Sequence, residues 1–183
     1  GVMSRGLGDV YKRQILSSVK APQGRFEYFL SDHKITAVID YAHTPDALEN
    51  VLKTLLDLKK GTEKLITVFG CGGNRDKGKR PLMGEIASRL SDQVLITSDN
   101  PRNEDPDSII NEIYHGVPSV LKEKVFTVND RMEAREMACN MASAGDIILI
   151  AGKGHENYQI IGNESLHFDD MENTIHIFKK LKK

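Results

Sequence analysis

Four short stretches hold most of the residues able to do chemistry: "DYAHTP" from Asp40, "GCGGNRDKGKR" from Gly70, "SDNPRNEDP" from Ser98 and "AGKGHENY" from Ala151. They supply the cations Arg75, Lys77, Lys79, Arg80, Arg102 and Lys153 and the anions Asp40, Asp76, Asp99 and Glu156. His43, Asn74, Asn100 and His155 add neutral hydrogen-bonding groups. A pocket carrying both signs of charge suits a zwitterion, or an anion beside an amine, better than a bare phosphate backbone. Pro101 stiffens its loop and is expected to hold Arg102 in an extended approach. A guanidinium fork there matches a carboxylate bidentately.

The glycine-rich stretch also raises a phosphate-binding reading. Gly73, Gly78 and Lys79 fit the first seven positions of G-x-x-x-x-G-K-[ST], and an apolar run, Leu65 to Phe69, precedes them. The eighth position is Arg80, so the hydroxyl that would hold the Mg²⁺ of a nucleotide is missing, and Pro81 stands where a helix would begin. Two readings stay open at this point: a degenerate P-loop, or a basic glycine-rich loop with another task. Read singly, each group has a bland alternative. Arg80 and Lys79 can be solvated, Cys71 a small buried residue, and Tyr41 and His43 the packing at a helix start. His33, His115, His167 and His176 fall outside the four stretches and read as surface or core residues.

Positioning these stretches requires alternating strands and helices. "RFEYFL" and "ITAVID" flank "SDHK" and read as a hairpin. A helix follows from Thr44, a good N-cap, with Pro45 at its first position and Leu48, Val51, Leu52, Leu55 and Leu58 at helical spacing. "KLITVFG", "QVLITSD", "KVFTV" and "DIILIAG" read as strands, and "YQIIG" as a short strand or strand end. Helices are expected over "RPLMGEIASRLS", after Asp105, after Asp130 and over "DDMENTIHIFKKLKK". The pattern predicts an α/β fold: a Rossmann-like, three-layer domain with a mostly parallel sheet and an N-terminal hairpin. All four polar stretches then leave the carboxyl edge of the strands, where ligands bind in such sheets. Polar groups converging there are the default sign of a site.

Composition narrows the class. With 183 residues there is enough chain for one domain with a real core. A formal net charge of −1 gives no global field toward nucleic acid or an anionic membrane. No apolar run approaches the roughly 20 residues needed to span a bilayer. Two cysteines far apart, Cys71 and Cys139, argue for a reducing, cytoplasmic compartment and against a disulfide scaffold or zinc site. Residues 1–14 have neither core periodicity nor the apolar stretch of a signal peptide, and "DVYKRQ" resembles a reading frame of a sequencing-library adapter. They read as a non-native or disordered leader to a domain at 15–183.

"DYAHTPDAL", "VFGCGGNRDKGKRPLMGEIA", "DNPR" and "AGKGHENYQ" together resemble the C-terminal, amino-acid-binding domain of the Mur ligases, from about Gly24 onward. Within that family they look most like the branch that adds meso-diaminopimelate to the nucleotide precursor UDP-MurNAc-L-Ala-D-Glu during peptidoglycan synthesis. The resemblance implies an ATP-dependent amide synthesis through an acyl phosphate, with Mg²⁺ as cofactor. It implies that Arg102 pairs with the distal carboxylate of meso-diaminopimelate and that Asp99, Asn100 and Pro101 hold its distal amine and backbone. Arg75 would meet another carboxylate, Gly152 would allow close backbone approach, and Glu156 would bind the ammonium. Arg25, Asp40 and His43 would serve ATP, with Arg25 toward the γ-phosphate and Asp40 toward the ribose. The family's own P-loop, its Mg²⁺-orienting lysine carbamate and its uridine-binding region belong to the N-terminal and central domains. Those domains are absent from this chain, so it is expected to be inactive alone, with no residue here assigned a catalytic step.

Two other readings compete. One is a stand-alone phosphate- or nucleotide-binding module using Gly73–Lys79. The other is a non-catalytic adaptor that kept the fold, against which the four intact polar loops argue.

Overall fold

Strict alternation along the strands divides their side chains between two cores. In β6 (Ile147–Ala151), Ile147, Leu149 and Ala151 face one way, and Ile148 and Ile150 the other. The same split runs through β2 (Thr36–Asp40), β3 (Leu65–Phe69) and β4 (Gln93–Ile96). A sheet buried on both faces has this pattern. The computed structural model describes Gln14 and residues 25–183. The leader reading of residues 1–14, Gln14 apart, and the start of the resemblance at Gly24 lie outside the described residues.

One face is covered by α1 (Pro45–Leu58), α2 (Lys79–Leu90) and α3 (Pro106–His115). The other is covered by α4 (Arg131–Met141) and α5 (Asp170–Leu181). The three-layer expectation therefore holds. Adding β1 (Glu27–Leu30) and β5 (Val125–Thr127), the main sheet runs β1-β2-β6-β3-β4-β5. Every neighbouring pair is parallel except β1 with β2, which is the expected hairpin, with Glu27 opposite Ile39. The chain steps outward from β3 to β5, then returns to insert β6 between β2 and β3. That insertion brings the carboxyl ends of β2, β6, β3 and β4 side by side.

The helix starts follow their caps. Thr44 Oγ1 accepts from the Ala47 amide at 3.2 Å, Asp105 from Asp107 at 3.2 Å, and Asp130 from Met132 and Glu133 at 2.8 and 3.0 Å. The strand expected over "YQIIG" is present, but a 3₁₀ turn and the partner strand of "YQIIG" were not foreseen. A 3₁₀ turn spans Ser119–Lys124. "YQIIGNESLH" forms a separate hairpin, β7 (Tyr158–Ile161) with β8 (Glu164–His167), turning at Gly162, whose φ is +59°. β8 is exposed along its whole length, so it lacks the apolar alternation by which a strand is read. Among the described residues no helix is long and apolar enough to cross a membrane.

Candidate functional site

The loops after β3 and β4 are pressed together by backbone contacts. The Gly73 amide donates to the Asn100 carbonyl at 2.8 Å. Arg102 returns the contact, its Nη1 donating to the Gly73 carbonyl at 3.0 Å and to the Asn100 carbonyl at 3.4 Å. A side chain at residue 73 has no room: its Cβ would stand 1.8 Å from the Pro101 carbonyl oxygen. Among the described residues, nothing takes the remaining guanidinium hydrogens on Nε and Nη2 of half-buried Arg102. One edge of the fork is anchored and the other is available. The extended approach expected of Arg102 is corrected, because its φ is +52°, in the left-handed region. The pull comes from the neighbouring hairpin: the Arg102 amide donates to Ile160 at 3.1 Å and its carbonyl accepts from Gly162 at 2.7 Å. Pro101 sets its own φ but not that of the next residue.

The loop after β6 enters from the other side. Gly152, at φ +114°, donates its amide to the Asp40 carbonyl at 3.0 Å. A Cβ there would meet Asp99 Oδ2 at 3.1 Å, so a glycine satisfies both the backbone conformation and the close approach. Lys153 is fully buried; its Nζ lies 3.0 Å from Asp99 Oδ1 and donates to Asn100 Oδ1 at 2.7 Å and the Tyr158 carbonyl at 3.0 Å. Burial lowers its pKa, and the Asp99 carboxylate opposes that. Asn100 Oδ1 also accepts from the Ile160 amide at 2.9 Å, which engages both its lone pairs. Its Nδ2 lies 3.4 Å from Glu156 Oε2. Burial raises the pKa of half-buried Glu156, and the neighbouring Asp99 charge adds to the rise. Asp99, Asn100, Pro101, Arg102, Gly152 and Glu156 thus form one cluster. Arg75 stands at its rim, exposed, with Nη1 donating to the Asn74 carbonyl at 3.2 Å.

Arg25, Asp40 and His43 share a second cleft of about 490 Å³ with Tyr41, Asn50 and Thr54. Asp40 braces the entrance of its own loop, its two oxygens accepting from the Phe26 and Ala42 amides at 2.9 and 2.8 Å. Burial still raises its pKa, against the pull of those amides and Arg25. His43 Nδ1 lies 3.0 Å from the Tyr41 carbonyl, and Lys79 Nζ donates to the His43 carbonyl at 2.7 Å. The Tyr41 ring sits 4.6 Å from that of His43 and 6.1 Å from that of His155, so Tyr41 joins the cleft to the first cluster.

Several amides of the glycine-rich loop are already engaged within the protein. Besides Gly73, the Asn74 amide donates to Glu104 Oε1 at 2.7 Å, Gly78 to Asp76 Oδ1 at 2.8 Å and Arg80 to the Lys77 carbonyl at 3.1 Å. A phosphate cradle needs such amides free, and this counts against the P-loop reading. Arg80 corrects a second expectation. It is neither solvated nor a pocket cation but fully buried, donating to Glu104 at 2.9 and 3.0 Å, to Glu112 at 2.9 Å and to the Gly72 carbonyl at 3.1 Å. The hydrogen bond from Arg80, with that of the Asn74 amide, holds Glu104 down at about 2.

Sequence reasoning missed the ionic group beneath the site. Arg131 donates from Nε and Nη2 to Asp170 at 3.0 and 2.8 Å, and Arg135 donates to the same carboxylate at 2.7 Å. Arg131 also donates to the Ser98 carbonyl and the Ala151 carbonyl, both at 3.2 Å, where the two site loops begin. The signal was present: Arg131 and Arg135 stand four apart on the stripe of Ala134, Ala138 and Cys139, which packs on the sheet. Both thiols are pushed up to about 12 by burial, as for inert core cysteines. Among the described residues no group of three or more His, Cys, Asp or Glu could hold a metal ion.

A family described as "Mur ligase, glutamate ligase domain" matches residues 24–154. The chain is 57% identical over 155 residues to the UDP-N-acetylmuramoyl-L-alanyl-D-glutamate–2,6-diaminopimelate ligase of Cytophaga hutchinsonii, covering 85% of this chain and 32% of that protein. To the protein of the same name from Bacteroides fragilis it is 52% identical over 163 residues, covering 89% and 34%. A solved structure bearing that name superposes with a TM-score of 0.81 at 42% identity, over 91% of this chain and 33% of the other. The chain spans about a third of the length of the curated relatives it matches.

Proposed function

The chain belongs to the Mur ligase family, and from that premise we propose that it is the amino-acid-binding part of a longer ATP-dependent ligase. The reaction is the addition of meso-diaminopimelate to the D-glutamate of UDP-MurNAc-L-Ala-D-Glu. ATP phosphorylates the γ-carboxylate, the amine of diaminopimelate attacks the acyl phosphate, and an amide, ADP and phosphate result.

The observation that carries this reading is Arg102, anchored along one edge and open along the other, and linked through Asn100 to the Glu156 carboxylate. The free edge matches the distal carboxylate of diaminopimelate, and Glu156 matches an ammonium. L-Lysine lacks that carboxylate and would leave the guanidinium unpaired. Sites built around a polar partner reject analogues lacking it by up to about 10⁴-fold. The names of relatives at 57% and 52% identity support the same substrate. Arg75, at the rim, is placed to meet a second carboxylate. Asp99 and Asn100 act mostly by holding the loop, since their side chains are engaged with Lys153 and Ile160.

The cleft of Arg25, Asp40 and His43 is assigned to ATP, Arg25 toward its phosphates and Asp40 toward the ribose. Mg²⁺ does not fit the described residues and is assigned to the central domain, together with the nucleotide-phosphate loop. The ligase would work in the cytoplasm, where its nucleotide-linked substrate is made.

The test is ADP release by the chain rejoined to its upstream domains, with UDP-MurNAc-L-Ala-D-Glu as acceptor. Turnover with meso-diaminopimelate and not with L-lysine is expected. Turnover with lysine would discard the part given to Arg102, and no turnover from a folded protein would discard the ligase assignment.

A further inference from the structure

Besides its contacts to Gly73 and Lys153, the 99–102 loop is held by the hairpin that follows the last strand of the main sheet. Gln159 Nε2 donates to the Asp99 carbonyl at 2.8 Å. The Ile160 amide donates to Asn100 Oδ1 at 2.9 Å. The Ile160 carbonyl accepts from the Arg102 amide at 3.1 Å, and the Gly162 amide donates to the Arg102 carbonyl at 2.7 Å. Arg102 and Ile161 therefore pair as a single parallel bridge. Arg102 is left-handed, a conformation costly for a residue with a side chain unless its surroundings impose it. Here the hairpin imposes it, gripping Arg102 by both backbone groups.

We propose that the β7–β8 hairpin is the clamp that sets amino acid specificity, with Gln159 as its positioning residue. This rests on the reading of Arg102 given under Proposed function. A two-stranded hairpin alone is marginal in water. β7 and β8 form their own sheet, and among the described residues their hydrogen bonds to the body of the domain run chiefly to the 99–102 loop and Lys153. Loop and hairpin therefore order each other. Gln159 is the only side chain of the hairpin that donates into the loop among the described residues, and it reaches Asp99, three residues past the end of β4. Its loss leaves the Asp99 carbonyl without that donor and frees the hairpin to move, carrying the Arg102 backbone with it. The free edge of the guanidinium then loses its fixed direction, while the nucleotide cleft, built from Arg25, Asp40 and His43, is untouched.

The experiment has two arms. In the chain as it stands, hydrogen exchange by NMR is compared for wild type and Gln159→Met, which keeps length but not the donor. Exchange at the Arg102 and Gly162 amides should rise about tenfold, with the Ile148 and Val68 amides of the sheet unchanged. In the chain rejoined to its upstream domains, Gln159→Met should raise KM for meso-diaminopimelate about tenfold and leave KM for ATP unchanged. In an Arg102→Ala background the same substitution should add nothing, as for a residue that acts through Arg102. Unchanged exchange at Arg102 would overturn the clamp. Raised exchange with an unchanged KM, where Arg102→Ala alone does raise it, would overturn the role in specificity. If Arg102→Ala is itself silent, the substrate reading fails and takes this inference with it.

Discussion

Arg102 Nη1 reaches the Gly73 carbonyl across 3.0 Å, and it can do so only because residue 73 carries no side chain. Two loops that follow different strands are locked at this point by a pair of opposed hydrogen bonds, Gly73 to Asn100 and Arg102 to Gly73. Gly73→Ala would force a methyl to within 1.8 Å of the Pro101 carbonyl oxygen, a backbone atom that cannot swing aside. The loops must part. Melting should show a loss of about 1–3 kcal/mol, and the rejoined enzyme should lose affinity for the amino acid while keeping its KM for ATP. An unchanged KM for diaminopimelate in a folded Gly73→Ala protein would contradict the proposed geometry.

The Arg102 fork makes a separate prediction. Lysine at residue 102 keeps the charge but can offer neither the anchored edge nor a planar pair of donors. Arg102→Lys should therefore raise KM for meso-diaminopimelate by about tenfold or more, since charge-assisted contacts contribute about 1.5–3 kcal/mol. Steady-state kinetics with each substrate varied in turn would show it. Equal effects on ATP and on the amino acid would remove Arg102 from the amino acid site.

Much of this arrangement is legible in the sequence, because strand and helix periods are local properties. The continuous apolar runs of β2, β3, β4 and β6 announce strands buried on both faces, and the polar stretches after them fall on one edge in the structure as expected. Long-range partnerships are not local. Arg80 reads as a loop cation until Glu104 and Glu112 are seen to enclose it. Lys153 reads as a ligand-facing lysine until it is found paired with the Asp99 carboxylate and donating to Asn100 and Tyr158. Of the β7–β8 hairpin, β7 reads as a strand over "YQIIG", and β8 escapes because it is exposed along its length and has no apolar alternation.

Asp170 carries the next prediction. It is fully buried and takes hydrogen bonds from Arg131 and Arg135, and Arg131 in turn braces the carbonyls of Ser98 and Ala151. Burial alone would raise its pKa, yet the two guanidiniums, Arg131 foremost, hold it below the usual carboxylate range. Asp170→Asn leaves two buried cations with no counter-charge. Urea unfolding should register a loss of about 3–5 kcal/mol. A loss below about 1 kcal/mol would mean that water reaches this cluster.

Glu156 links binding to pH. An ammonium pairs with its ionised form, and burial, followed by the Asp99 charge, raises its pKa above 4.5. Affinity for the amino acid should fall as pH drops through that raised value, at a higher pH than an ordinary glutamate would give. Glu156→Gln should weaken binding at neutral pH and flatten this dependence. Titration of KM for meso-diaminopimelate against pH would check both, and a profile identical in the two proteins would remove Glu156 from the contact.

Glu104 links stability to pH with a definite sign. Its pKa falls from 4.5 to about 2, first through the Arg80 hydrogen bond and next through that of the Asn74 amide. A carboxylate whose folded pKa is depressed contributes stability that is fully present above its unfolded value and is lost as pH falls through its folded one. The contribution is thus whole at neutral pH and fades from about 4.5 down to about 2. Glu104→Gln should be less stable than wild type at neutral pH, because Arg80 stays buried with only Glu112 to balance it. The gap between the two should narrow across that acid window and close at its lower end. Paired melting curves from neutral pH to about 2 measure it, and a gap that stays constant throughout would mean that Glu104 holds the glycine-rich loop by packing alone and not by charge.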